Sequence, residues 1–290
     1  MSEYLTTKEL AELLRIKERK VYDLAASGEV PCSRAMGKLL FPRRAVDVWL
    51  AENSSGFTPS LAAERPPVFL GSHDPLLDWA LRESRSGLAM FFDGSLDGLE
   101  RFAANEGVAS GLHIYDPEDD AWNVPAIASR FRGRDVVLVE WAKRDRGIVM
   151  RAEDRDAIAS MSDLKGRRVV PRQAEAGSQA LFAHLLTEAG LTGKDIELIT
   201  PAQSENDAAL AVLEGKAHAA LGLAGLARQY RLGFAPIVTE RFDLLVDRRA
   251  WFEPPLQAFL EFCRSGRVAD KAAEMGGYDF TGFGRIHFNA

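Results

Sequence analysis

The sequence predicts an α/β protein carrying a separate, mostly helical head. Three observations lead there. At 290 residues the chain is too long for one small module. A polar, proline-bearing stretch, Asn53-Ser54-Ser55-Gly56 followed by Pro59, Pro66 and Pro67, reads as a linker. Beyond it, short apolar runs alternate with helical segments, a pattern of strands joined through helices into mainly parallel sheets.

Composition narrows the classes. An apolar fraction of 47% supports well-buried cores, and the net charge of −6 excludes a uniformly basic coat. Residues 1–60 hold nine Lys/Arg and eight Asp/Glu, so the head carries +1 and the remainder −7. The head is therefore the better partner for nucleic acid. Cys32 and Cys263 offer neither a disulfide framework nor metal-ligand spacing, which suits a reducing compartment. With no signal-like start and no apolar run near the ~20 residues that span a bilayer, the expectation is a cytoplasmic protein away from membranes.

In the head, Thr6 and Glu9 form a capping-box pair, and Leu10, Leu13 and Leu14 follow at helical spacing. Arg15-Ile16-Lys17 reads as a turn. A second helix, about Glu18–Ser27, gathers Val21, Leu24 and Ala25 on one face and stops at Gly28. Arg19, Lys20 and Tyr22 point away from that face, as a helix entering a major groove requires. Pro31–Arg34 and Leu39–Phe41 read as a two-stranded wing turning at Gly37. Pro42 is placed to open a third helix, whose buried stripe is Val46, Trp49 and Leu50.

The order Tyr-Leu-Thr-Thr-Lys-Glu-Leu-Ala-Glu-Leu-Leu, Lys-Val-Tyr-Asp-Leu, Ser-Gly-Glu-Val-Pro, Phe-Pro-Arg-Arg-Ala-Val-Asp-Val-Trp-Leu over residues 3–52 resembles the excisionase/MerR-like winged helix-turn-helix family. The resemblance implies DNA contact by Arg19, Lys20 and Tyr22, and phosphate contact by Arg34 and Lys38 on the wing. Lys17 departs from it: many relatives carry a small hydroxyl cap there, and the lysine gives up that cap but adds charge. The bland alternative is a set of solvated cations on a protein-interaction module.

After the linker, strands are expected at Val68–Leu70, Leu88–Phe92, Val136–Val139, Gly147–Met150, Arg168–Val170, Ile196–Ile199 and Ala219–Leu223. Helices are expected around Leu76–Arg82 and after Ser178, Asn206 and Pro255. Three strand-to-helix corners stand out: Gly71-Ser72-His73-Asp74-Pro75, Asp93-Gly94-Ser95-Leu96-Asp97-Gly98 and Ala174-Glu175-Ala176-Gly177-Ser178-Gln179. Ser204-Glu205-Asn206-Asp207 is a fourth. Each offers amide donors and the positive end of a helix to an anion. Taken singly, each is more often a plain helix cap.

Gly-Ser-His-Asp-Pro-Leu-Leu-Asp (71–78), Asp-Gly-Ser-Leu-Asp-Gly-Leu (93–99), Gly-Leu-His-Ile (111–114), Arg-Asp-Arg-Gly (144–147), Pro-Arg-Gln (171–173), Glu-Arg-Phe-Asp-Leu (240–244) and Gly-Gly-Tyr-Asp (276–279) together resemble the binding-protein-like domain fused to bacterial helix-turn-helix heads. That domain is similar to periplasmic molybdate-binding proteins. It implies a two-lobed type II periplasmic-binding-protein-like fold with ligand in the cleft. The resulting layout is a head over 1–54, a linker over 55–66 and a body over 67–290. Lobe one would span 67–142 and 242–290, lobe two 147–236, with crossings near 141–147 and 236–244. Ser72 and Ser95 would donate from lobe one, and Gly177, Ser178 and the Asn206-Asp207 helix start from lobe two. The third corner lacks the arginine of a Gly-Ser-Gly-Thr-Arg-like cradle. Leu221-Gly222-Leu223-Ala224-Gly225 stands where molybdate-binding proteins have a tyrosine.

Other side chains keep two readings. His73 contacts a ligand or orients Asp74, or is a capped surface residue. His113 faces the cleft or is a hydrogen-bonded core histidine. Arg144 and Arg146 bind a larger anion, or are solvated hinge-loop charges. Trp79, Trp122 and Trp141 read as core or rim. The leading expectation is a homodimeric, non-enzymatic transcription regulator. It would bind double-stranded promoter DNA and sense molybdate or tungstate, with no cofactor, no metal site and no catalytic residue. The alternatives are an organic anion, such as a pterin-cofactor precursor or a carboxylate, and, more remotely, a cleft enzyme using His73 and Asp74. No nucleophile elbow, metal cluster or nucleotide fingerprint supports the last.

Overall fold

The computed structural model describes residues 4–35, 37–53 and 65–290. The chain divides into two compact units, Met1–Glu64 and Arg65–Ala290. Most of the expected linker, including residues 55–64, lies outside the described residues.

The head follows its local chemistry. Strand β1 (Tyr4–Thr6) leads into α1 (Thr7–Leu14), α2 (Glu18–Ser27), β2 (Ser33–Ala35), β3 (Lys38–Pro42) and α3 (Arg43–Glu52). At the start of α1 the Thr6 amide donates to Glu9 Oε2 (2.7 Å), and the Glu9 amide donates to Thr6 Oγ1 (3.3 Å). Arg15 takes the left-handed conformation at the end of α1, and Gly28 (φ +73°) does so after α2. No side chain caps α2 at Lys17. Strand β3 is central, with β1 and β2 antiparallel on either side. Leu10, Val21, Leu24, Phe41 and Val46 form the core. Two expectations shift. Leu13 is 42% exposed and lies outside the core. Pro42 closes β3, so α3 opens one residue later, at Arg43.

The body opens with β4 (Val68–Gly71), α4 (Pro75–Ser84), β5 (Ala89–Phe92), α5 (Ser95–Ala103) and β6 (Ala109–Leu112). A small hairpin, β7 (Tyr115–Asp116) and β8 (Ala121–Trp122), and helix α6 (Val124–Phe131) lead into the long strand β9 (Val136–Met150). Next come β10 (Arg168–Val170), α7 (Gly177–Glu188), β11 (Glu197–Leu198), α8 (Glu205–Leu213), β12 (Ala219–Leu223) and α9 (Ala224–Gln229). A second long strand, β13 (Gly233–Asp247), returns antiparallel to β9. Helices α10 (Pro254–Arg264) and α11 (Arg267–Met275) and strands β14 (Tyr278–Asp279) and β15 (Ile286–Asn289) finish the chain.

The main sheet runs β11-β10-β12-β9-β13-β6-β4-β5, with β14 and β15 also on β9. It is mixed, not mainly parallel: β12, β13, β14 and β15 all pair antiparallel to β9. Alternation of strand and helix does not reveal strand direction, which explains the difference. The expected strands at 136–139 and 147–150 are the two ends of one strand. The charged stretch between them looks like a turn by composition, yet it stays in the ladder against β13. Register shifts at Pro236/Val238 and Phe242/Asp243 bracket the stretch where β13 passes between the halves of the sheet. Separate apolar cores lie about the two ends: Phe69, Leu77, Trp141 and Phe259 in one, and Ile148, Leu181, Phe182 and Leu221 in another.

Glycines let the first corner close. Gly71 has φ +100°, and a Cβ there would lie 2.3 Å from the Gly111 carbonyl oxygen. A Cβ on Gly98 of α5 would come 2.2 Å from Gly71 Cα. Gly71→Ala therefore combines backbone strain with overpacking and should cost about 2–5 kcal/mol. The expected readout is a lower urea midpoint for the body, with an unchanged slope.

Candidate functional site

On the head, Arg19, Lys20 and Tyr22 are exposed on α2, opposite the buried Val21, Leu24 and Ala25. Arg34 and Lys38 are exposed on the wing, as is Lys17 at the start of α2. Tyr22, Arg34 and Lys38 share a groove of about 710 Å³ with Thr6, Thr7 and Lys8. Tyr22 of α2 thus shares one groove with the wing cations and with the hydroxyls at the start of α1.

In the body, the two long strands carry charge where they cross. Arg144 and Arg146 on β9 are 1% and 0% exposed. Neither is a solvated hinge-loop charge. Arg144 Nη1 donates to Asp74 Oδ2 (2.8 Å), and the guanidinium also pairs with Glu240 of β13. Arg146 Nε donates to Glu240 Oε2 (2.7 Å), and its Nη2 donates to Glu205 Oε1 (3.0 Å). Arg172 pairs with the same Glu205 oxygen at 3.0 Å. Three arginines therefore meet three carboxylates. Burial works against the charge on Glu205, but Arg146 and Arg172 outweigh it and bring its pKa down to about 2. Burial is likewise outweighed at Glu240, where Arg144 and Arg146 hold the carboxyl well below the usual carboxylate range.

Asp74 is fully committed. It caps α4 by accepting from the Leu77 amide (2.7 Å), and accepts from Trp141 Nε1 (3.1 Å), Arg144 and Tyr278 Oη (2.7 Å). Burial, followed by the Asp74 charge, pushes the Tyr278 phenol well above its ordinary pKa, so it remains a donor. No hydrogen bond joins His73 to Asp74. The expected orienting role of His73 is absent, and an acid–base pair of these two has no free carboxylate to work with.

A hydroxyl chain lies beside the arginines. Ser95 Oγ donates to Ser72 Oγ (3.1 Å), and Ser72 Oγ lies 3.0 Å from His113 Nε2. His113 Nδ1 lies 3.1 Å from Glu240 Oε2, and the His113 amide donates to Ser95 Oγ (3.1 Å). Of the two readings of His113, it is buried and hydrogen-bonded on both nitrogens, next to the predicted serines. Burial lowers its pKa, with Arg144 and Arg146 adding to the effect against the pull of Glu240.

The far wall comes from the third corner. A Cβ on Gly177 would lie 2.6 Å from the His113 carbonyl oxygen and 3.1 Å from Ser95 Oγ. Ser178 is 1% exposed and its hydroxyl has no partner. The walls meet through the Leu96 amide, which donates to the Glu175 carbonyl (3.2 Å), and Gln173 Nε2, which donates to the Asp93 carbonyl (2.8 Å). Neither α5 nor α7 has a side-chain cap.

The predicted body residues thus separate into groups. Ser72, Ser95 and Gly177 converge, with the buried Ser178 next to Gly177 at the start of α7. His73 and Asn206 instead line a cavity of about 540 Å³ with Asp78, Arg228, Lys271 and Glu274. There His73 Nδ1 and Asn206 Oδ1 are buried without partners. Asp207 belongs to neither. It is exposed, its amide donates to Ser204 Oγ (3.0 Å), and its carboxylate accepts from the Ser204 amide (3.0 Å), closing a capping box on α8. Glu205, two positions earlier, turns inward. Sequence reasoning missed Glu205, Glu240 and Arg172 as cleft residues. The available signal was charge inside the strand pattern, at Arg144, Arg146 and Glu240.

A helix-turn-helix domain family matches residues 4–54, and the PBP superfamily domain matches residues 79–264. The second match spans more than half of the chain, and the protein belongs to the PBP superfamily. A helix-turn-helix head with a PBP-like ligand-binding domain fits a DNA-binding regulator with a ligand-sensing domain. The uncharacterized protein YvgK of Bacillus subtilis (strain 168) is 22% identical over 304 aligned positions, covering 97% of this chain and 96% of that protein. A substrate-binding protein with bound phosphate from Clostridium perfringens superposes with a TM-score of 0.53 at 10% identity, over 74% of this chain and 98% of its own. The alkanesulfonate-binding protein SsuA from Xanthomonas axonopodis pv. citri, bound to MOPS, gives a TM-score of 0.47 at 16% identity, over 73% and 78%. At such identities the likeness is one of fold. Among the described residues, no helix is long and apolar enough to cross a membrane, and no cluster of His, Cys, Asp and Glu is arranged to hold a metal ion.

The Glu205 linkage has a definite sign. Its carboxyl is depressed on folding, so its stabilisation is present above the ordinary value of 4.5 and fades as pH falls toward about 2. Glu205→Gln leaves Arg146 and Arg172 undercompensated and should cost about 3 kcal/mol at neutral pH. Denaturation in parallel should show the gap from wild type narrowing steadily below pH 4.5.

Proposed function

We propose that the protein is a transcription regulator whose body captures a small oxyanion, molybdate or tungstate, and whose paired heads bind double-stranded promoter DNA as a homodimer. The observation that carries the ligand class is the meeting of Ser72 and Ser95 with the Gly177-Ser178 start of α7, at two helix starts that no side chain caps, with the Ser178 hydroxyl buried and unpartnered. Such a site offers neutral donors and the positive ends of α5 and α7. Three arginines are matched against Asp74, Glu205 and Glu240, so none of these three buried carboxylates is left free to repel an anion. Ligand would act on the heads only through different affinities for different lobe arrangements.

The cavity lined by His73, Asn206, Arg228 and Lys271 favours a second reading, an organic anion such as a pterin-cofactor precursor or a carboxylate. Its volume exceeds the need of a tetrahedral ion, and its two unpartnered polar atoms differ in kind, one a ring nitrogen and one an amide oxygen. Thermal-shift measurements separate the two. Molybdate or tungstate, but not sulfate, at about a hundredfold excess over Kd should raise the melting temperature by about 5 °C or more, and Ser178→Ala should reduce the rise at the same ligand concentration. Stabilisation only by organic anions, lost in Arg228→Ala, would replace the first reading with the second.

For the head, cations on α2 contact phosphate and release counterions. An Arg19→Ala/Lys20→Ala variant should bind the protein's own promoter more weakly and lower the slope of log K against log salt by about 2. Unchanged affinity and slope would remove these residues from the interface.

A further inference from the structure

The hydroxyl chain beside the arginines has its protons fully assigned by geometry. Arg144 and Arg146 both pair with Glu240, so this carboxylate only accepts. His113 Nδ1, 3.1 Å away, must then carry the hydrogen. In a neutral ring Nε2 is an acceptor, and the hydroxyl 3.0 Å from it, Ser72, donates. Ser95 in turn donates to Ser72. Two of the three serines of the candidate site thus direct their protons along the chain, away from a ligand. Only the Ser178 hydroxyl is uncommitted.

We propose that oxyanion capture in this cleft takes up one proton, at His113, and that this proton converts Ser72 from a donor to the imidazole into a donor to the ligand. The inference rests on the oxyanion reading above. When Nε2 gains a hydrogen, it donates to Ser72 Oγ, and the Ser72 proton turns toward the anion. The proton comes from solvent, and no covalent bond is made or broken. Ser95 keeps its bond to Ser72, whose second lone pair remains available.

The surroundings of the ring make protonation conditional on the anion. His113 is 2% exposed and stacks on Phe242 at 5.7 Å and 17°. Glu240 on β13 faces Nδ1, while Arg144 and Arg146 on β9 cancel its charge. Glu205 on α8 and Arg172 beyond β10 balance the outer side of Arg146, and Asp74 with Tyr278 balances Arg144. The hydroxyls of Ser72, Ser95 and Ser178 add no charge of their own. Burial and the two guanidiniums therefore keep the ring neutral until a negative charge arrives beside the serines. The same Ser72–His113–Glu240 connectivity would suit acyl transfer, but an imidazolium there needs carboxylate charge that the arginines have already cancelled.

Calorimetry of wild-type protein tests this without any variant. Molybdate is a dianion at neutral pH, so the probe itself supplies no proton. Titration in two buffers of different ionisation enthalpy should report uptake of about one proton per anion bound. Across roughly pH 6 to 8 the affinity should fall toward a limit of about tenfold per pH unit. His113→Gln should bind with a flat pH profile, whereas Ser178→Ala should weaken binding and keep the slope. Binding without proton exchange, or a slope that survives in His113→Gln, would overturn the proposal while sparing the oxyanion reading. Absence of molybdate binding at every pH would overturn both.

Discussion

The body is organised around one electrostatic constraint. Two arginines and a glutamate are placed where two antiparallel strands cross from one half of the sheet to the other. Arg144 and Arg146 leave water completely, and each must find compensating charge from chain segments distant in sequence. Asp74 comes from the first corner, Glu205 from the start of α8, and Glu240 from the opposing strand. A buried pair of this kind adds little net stability over an apolar replacement, but it penalises any arrangement that leaves one partner alone. The register of β9 against β13 and the seating of the corners that carry Asp74 and Glu205 are tied together by that penalty.

The constraint also shapes what the cleft offers a ligand. With its ionised groups matched, the remaining chemistry is hydroxyl, amide and one imidazole. Ser72 and His113 connect the hydroxyl group of the site to the charged one, and Gly177 allows the opposite wall to approach closely enough to complete it. The two walls of the site meet through backbone carbonyls accepting from Leu96 and Gln173. One contact is main chain to main chain and the other uses the Gln173 amide, and both depend on how the corners are seated.

How much of this was legible in the sequence depended on range. The head was legible because its signals are local: Thr6 and Glu9 are three residues apart, and Gly28 and Gly37 mark their own turns. The serine corners were legible because a hydroxyl at a strand-to-helix turn is also local. The arginine network was not, since Arg146 and Glu240 lie 94 positions apart and only the pairing of two strands joins them. A run such as Lys143-Arg144-Asp145-Arg146 looks solvated until a second strand is laid across it. At α8 the helix start was found, but which of its polar residues turns inward depends on the cap. Ser204 engages Asp207, leaving Glu205 to face Arg146.

The order of the chain carries a consequence for biosynthesis. Arg65 is anchored to Asp247, and β15 at the far end of the sequence lies on β9 at Val137–Val139. The head has its own core and is made of consecutive residues. A nascent chain emerging from the ribosome can therefore complete the head before the body, whose sheet needs β15 to be made. Premature termination would release a helix-turn-helix unit without the PBP-like domain.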